Sequence, residues 1–326
     1  MANSAFSQQN PATKSVKRPG GRLTLVSGTP VMTSEQASKT SIYYTPYAGN
    51  HWPKYTGTWS EQTFSELTLA LDNDSGHTGY HQSGKLFDLF LYDDAGTLRL
   101  VSGPAWTSDT ARATALEYVN GILMNAASMT ARFGSASGNT VTVAQDRGVY
   151  VGTFLASANG TLTWELGGAA AGGDPGRLYL WNCYNRVQVS IAVQDNTDSW
   201  TDSAGTWGAF NGNTNNSVTF VRGLNEDSVL AHMGCVADCS GGAAGWAVGL
   251  DQTTAPTGTY STHYNNTNSS FISRGSGLGQ YTGQPGIGKH ICYALDLGVN
   301  VFNAPTLYGD AGTSSQLSGL HFTGWF

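Results

Sequence analysis

Leu86-Phe87-Asp88-Leu89-Phe90-Leu91-Tyr92, then Asp93-Asp94-Ala95-Gly96, then Thr97-Leu98-Arg99-Leu100-Val101, is the stretch that decides the fold class. Two runs of β-favouring apolar residues flank a short acidic, glycine-containing turn, which is the pattern of a β-hairpin. The same grammar recurs on both sides. Residues 148 to 156 and 161 to 166 flank Ser157-Ala158-Asn159-Gly160, whose Asn-Gly pair tolerates positive φ and predicts a second hairpin. Residues 22 to 27, 42 to 47, 177 to 181, 186 to 193, 217 to 221 and 291 to 295 read as further strands.

Helical periodicity is confined to residues 60 to 71, where Phe64, Leu67 and Leu71 recur at helical spacing before Asp72-Asn73-Asp74-Ser75-Gly76 stops the run. One short helix is expected there. Without crossover helices a parallel α/β fold is excluded, and no fixed-period repeat supports a propeller or β-helix. The expected fold is therefore all-β, an antiparallel β-sandwich or jelly-roll-like main domain. Polar, turn-rich residues 73 to 84 mark a joint. The chain divides into an extended basic arm (1–22), a small anchoring segment carrying the helix (23–84) and a β-sandwich domain (85–326).

Charged residues are only 12% of the 326, against about 25% in an ordinary globular chain. Hydroxyl and amide side chains must keep the surface wet instead. The 42 glycines cluster as turn punctuation and follow no three-residue period. A net charge of -6 argues against nucleic acid as a partner, since phosphate contact needs basic patches. No apolar run reaches the roughly 20 residues that span a bilayer, and Met1-Ala2-Asn3-Ser4 does not open a secretory signal. A soluble chain made in the cytoplasm, without membrane insertion, is the expectation.

Residues 1 to 22 carry Lys14, Lys17, Arg18 and Arg22 and no acid. Such an arm is expected to dock by those four cations on an acidic partner surface. Four cysteines, Cys183, Cys235, Cys239 and Cys292, are too sparse for a disulfide framework and read as reduced, buried and structural. His77 and His81 have a metal-binding spacing only on a helix, and Gly76 to Gln82 is a poor one, so a solvated loop is expected. Asp93-Asp94 belongs to its turn, and Glu226-Asp227 is expected to be salt-bridged to Arg222 rather than catalytic.

No nucleophile elbow, phosphate loop or zinc helix stands in the sequence, so no catalytic residue, metal or cofactor is assigned. Trp200 and Trp207 lie in the polar stretch Asp198-Ser199-Trp200-Thr201-Asp202-Ser203-Ala204-Gly205-Thr206-Trp207. Two readings stand open for them: sugar-stacking platforms in an exposed loop, or anchors of a core or subunit interface.

Several segments taken together resemble a family of tailed-phage and prophage virion proteins. They are residues 21 to 32 and 42 to 47, the hairpin 87 to 100 with Gly103-Pro104-Ala105-Trp106-Thr107-Ser108, then Trp181-Asn182-Cys183-Tyr184-Asn185-Arg186-Val187, and residues 220 to 227. They are spread over about two-thirds of the chain, from residue 21 to residue 227. The resemblance implies a non-enzymatic structural component of the virion, a tail fibre or tail appendage that docks by its N-terminal region and contacts the host surface. It further implies a homo-oligomer, trimers being common among phage fibres, bound to other virion proteins. Two alternatives remain beside it: a carbohydrate-binding or polysaccharide-degrading receptor-binding protein, and a head decoration protein. The polar stretch after Gly245, including residues 260 to 269, suits a host-facing loop.

Overall fold

A computed structural model describes residues 16–265, 271–309 and 318–326. Among these residues the regular structure is nearly all strand, with no α-helix, and its curled, mainly antiparallel sheets form a sandwich-like arrangement of half-barrels.

The decisive hairpin is present. Leu86–Asp94 pairs antiparallel with Thr97–Ala105, and Ala95 and Gly96 both take positive φ (48° and 93°), the geometry a two-residue turn needs. Leu86 to Leu91 are all buried, so this strand is covered on both faces. That explains a run less strictly alternating than a half-exposed strand would show. The one carboxylate among them, Asp88, is satisfied by Arg112 Nε at 2.8 Å and the Thr153 hydroxyl at 2.6 Å. The hairpin belongs to an eight-stranded sheet in which Gly148–Leu155 lies beside Leu86–Asp94.

The second turn forms, but its flanking strands part. Gly160 takes φ 64° and Ala158 bridges Thr161, as the Asn-Gly signal requires. Beyond it, Gly148–Leu155 stays in the eight-stranded sheet while Leu162–Ala170 enters a fourteen-stranded one. The turn is a corner between sheets instead of a hairpin tip.

The larger sheet folds over on itself. Val229–Cys239 and Gly242–Leu250 are consecutive and joined through Ser240-Gly241, yet they do not pair. The first bonds to Ser273–Gly283 and Gly319–Trp325, the second to Tyr260–Asn265 and Gly288–Asn300. Gly275, Gly277 and Gly279 permit the close approach of these walls. A Cβ on Gly277 would meet Ser261 Oγ at 2.3 Å, and one on Gly279 the Trp246 carbonyl oxygen at 2.6 Å.

The helix expected over residues 60 to 71 is not there. Trp59–Thr63 and Leu67–Ala70 are strands. Leu67, Leu69 and Leu71 satisfy a two-residue period as well as Phe64, Leu67 and Leu71 satisfy a helical one, and pairing with Ser41–Pro46 selects the former. Gly84, at the expected joint, sits in a positive-φ turn, but the residues on either side share one core, which runs from Leu23 to Phe326. Gln36–Lys39 even adds a strand to the large sheet through Leu162–Ala170.

Arg22, expected at the end of the basic arm, lies instead in Gly21–Thr24, a buried strand paired to Ser41–Pro46. The residue is only 2% exposed, and its guanidinium donates to the main-chain oxygens of Pro30, Asn185 and Phe326. It is a clamp between distant parts of the chain and is not available to a partner.

Candidate functional site

The two tryptophans singled out by sequence meet in one groove of about 440 Å³, lined also by Asp202, Asn211, Asp296 and small residues. Trp200 is held there from three sides. Its strand, Ser199–Thr201, pairs with Thr306–Tyr308; its ring packs edge-on to buried Phe210 at 4.6 Å; and its indole N–H donates to Asp296 Oδ2 at 3.0 Å. Trp207, also half-buried, packs against the exposed Tyr260 ring at 5.7 Å. A Cβ on Gly245 would lie 3.0 Å from the far edge of the Trp207 indole, so glycine there makes room for the ring. Both rings are fixed by packing before any ligand arrives, which lowers the ordering cost of binding.

Polar groups make the floor. Asn211, in the left-handed region at φ 53°, donates its backbone N–H to Asp296 Oδ2 at 3.0 Å. Its side-chain amide donates to Asp195 Oδ2 at 3.1 Å and Thr197 Oγ1 at 3.0 Å. Asp195 also accepts from Asn216, Gly172 and Thr197. Burial opposes ionisation of Asp195, but these hydrogen bonds outweigh it and hold the carboxyl below its ordinary range. Asp296 is the reverse case. Burial pushes it up to about 6, against the hydrogen bonds from Asn211 and Trp200, and Asp202 adds to the rise.

That rise fixes the sign of a pH effect. A carboxyl whose folded pKa lies above its unfolded value of 3.8 stabilises the fold fully below 3.8, and the contribution is lost as pH climbs through about 6. The interval corresponds to about 3 kcal/mol. His81 works in the other direction, since burial, with Arg132 nearby, lowers it to about 4. Its contribution is present above 6.5 and fades as pH falls towards 4. Between pH 6 and 4 the two oppose each other in the wild type. Urea unfolding of Asp296→Asn should therefore show a drop from pH 6 to pH 4 about 2 kcal/mol larger than that of the wild type, and equal drops would refute the assignment.

Lys14 lies outside the described residues. Lys17 pairs with exposed Glu61 at 3.0 Å, and Arg18 is exposed beside a recess lined by Arg186, Asp227 and Trp325. Glu226 and Asp227 are salt-bridged, but to Arg186 (3.0 and 2.8 Å) instead of Arg222, which reaches only the Asp227 main-chain oxygen. Arg222 is fully buried in a strand, whereas both carboxylates stay nearer solvent, where Arg186 meets them.

His77 and His81 are not a solvated loop. His81 is fully buried, accepting from the Asp72 N–H at Nδ1 and bonded to the Ser102 hydroxyl through Nε2, while His77 Nδ1 lies 2.9 Å from buried Asp72. Among the described residues no group of three or more His, Cys, Asp or Glu is placed to hold a metal. All four cysteines are free and buried, and burial pushes the Cys183 and Cys235 thiols up to about 12. None is poised as a thiolate nucleophile.

Asp296, Asn211 and Asp195 were missed by sequence reasoning. The one available signal was an acid inside the otherwise apolar run Tyr293-Ala294-Leu295-Asp296-Leu297.

No protein-family model matches the chain, and no curated protein matches it. Among solved structures it is similar to the insecticidal delta-endotoxin Cry8Ea1 from Bacillus thuringiensis, at 8% identity and a TM-score of 0.20, over 94% of this chain and 52% of that one. The chain thus spans about half the length of that structure, and a likeness this slight supports no statement about fold or function. No helix among the described residues is long and apolar enough to cross a membrane.

Proposed function

We propose that the protein is a non-enzymatic structural subunit of a tailed-phage particle, part of a tail appendage, and that it touches host glycan through the groove between Trp200 and Trp207. The observation that carries the glycan part is the groove itself: two packed indoles, half-buried and separated by a polar floor. Pyranose rings present an apolar face to such rings and hydroxyls to such floors. Binding is favoured over cleavage because Asp296 Oδ2 is already occupied by the Trp200 indole and the Asn211 N–H. That carboxylate works as a brace for the aromatic ring. The virion part rests on the family-like segments and agrees with an all-β chain of low charge.

In this proposal the subunit forms a homo-oligomer, a trimer by the same resemblance, and Lys14, Arg18 and Lys17, the last by exchanging its contact to Glu61, meet an acidic neighbour in the particle. Antibody labelling of intact particles tests the location: label on the tail supports an appendage, and label spread over the head replaces it with a decoration protein. A glycan array followed by calorimetry tests the groove. Trp207→Ala is expected to weaken the best glycan by tenfold or more, since truncating a central aromatic anchor costs about 1.4 kcal/mol or more. Retained affinity in a folded Trp207→Ala protein would remove the groove from the proposal.

A further inference from the structure

We infer that the groove selects a cationic sugar, one bearing a protonated amine, over neutral and anionic sugars; this rests on the glycan reading above. The charge of the lining is one-sided. Asp202 and Asp296 are its only ionisable residues, and neither lysine nor arginine lines it among the described residues. Asp195 adds a third carboxylate beneath the floor, one hydrogen bond away through the Asn211 amide.

Asp202 is the carboxylate free to meet a ligand. Its Oδ1 accepts the Ala204 N–H at 2.8 Å, and its other oxygen has no hydrogen bond among the described residues. Its loop is fixed as well: the Gly205 N–H donates to the Gly298 carbonyl at 2.8 Å, and a Cβ on Gly298 would strike the Asp202 carbonyl oxygen at 2.2 Å. The carboxylate therefore projects from a braced turn.

The aromatic walls act in the same sense. An indole face carries negative potential and attracts an ammonium group, whereas a carboxylate is repelled by both walls and floor. At physiological salt the screening length is about 8 Å, so charges in contact within the groove are little screened while distant surface charges are. Neutral sugars keep only stacking and hydroxyl contacts. A uronate or sialic acid meets like charge, which is a device for rejecting the wrong partner.

The test is calorimetry on the whole chain with three oligosaccharides of equal length, built from glucosamine, N-acetylglucosamine and galacturonate, at physiological salt with the amines protonated. The glucosamine oligomer is expected to bind about tenfold tighter than the N-acetylated one, and the galacturonate not measurably. Asp202→Asn, which preserves the contact to Ala204, should erase the preference for the glucosamine oligomer over the N-acetylated one. Asp74→Asn, at an exposed acid outside the groove, should change neither. Equal affinity for cationic and neutral oligomers overturns the charge selection and leaves the glycan reading standing. A preference lost equally in Asp74→Asn and Asp202→Asn overturns it as diffuse attraction to an acidic protein. Binding of none of the three, with Trp207→Ala also without effect on the array, overturns both.

Discussion

Replacing Arg22 by methionine is expected to lower stability by about 3 to 5 kcal/mol in urea unfolding at neutral pH. The guanidinium donates from Nε to the Pro30 oxygen at 2.9 Å, and from Nη1 to the Asn185 and Phe326 oxygens, each at 2.7 Å. Burial lowers its pKa only to about 10, so it is charged at neutral pH. Its contacts here are main-chain oxygens. Methionine matches the stem but strands these buried acceptors, and an unsatisfied buried polar group costs about 1 to 3 kcal/mol. Arg22→Lys should recover less than half, because an ammonium cannot reproduce the planar fork. A residue that only docked on a partner would behave differently: the isolated protein would lose less than about 1 kcal/mol, and that result would sink the clamp.

Arg132→Met is expected to be as severe, about 3 to 5 kcal/mol, because it removes one half of a buried ion pair. Arg132 and Asp72 meet at 2.8 Å with side chains 2% and 1% exposed. Arg132 also donates to the Thr78 oxygen at 2.7 Å and the Ala136 oxygen at 2.9 Å, so it ties the 73–84 turn region to the eight-stranded sheet. The substitution would leave Asp72 buried with only His77, at 2.9 Å, as a side-chain partner. In the Arg132→Met background, Asp72→Asn should then cost little or even restore stability, since the stranded charge disappears. Additive losses across this double-mutant cycle would mean that the two residues are not coupled.

Much of the fold was legible because its causes are local. The hairpin over residues 86 to 105 follows from β-favouring runs and from a turn whose Ala95-Gly96 pair takes positive φ within two residues. Every strand named from the sequence between residues 177 and 221 is matched by a strand within a few residues. The long strands Val229–Cys239, Gly242–Leu250 and Ser273–Gly283 were not legible, although the first has a perfect alternation of burial. Glycine and alanine carry little hydrophobic signal. Their small size acquires meaning only against an opposing wall, as at Gly277 beneath Trp246 and Ser261.

The candidate site divides the same way. Trp200 and Trp207 declared themselves, as large aromatics in a polar stretch do. Asp296 did not, since the group that makes it part of the site is an indole 96 residues away. Arg22 looked like one more charge on a basic arm because two of its three acceptors lie 163 and 304 positions further on. Sequence by itself determined that this is a β protein of low charge, with turns and strand periods set by backbone sterics and side-chain alternation. Which strands share a sheet, which arginine is a clamp and which carboxylate braces a tryptophan were decided by tertiary structure alone. Burial and hydrogen-bond satisfaction are properties of groups brought together from remote parts of the chain, and no local pattern encodes them.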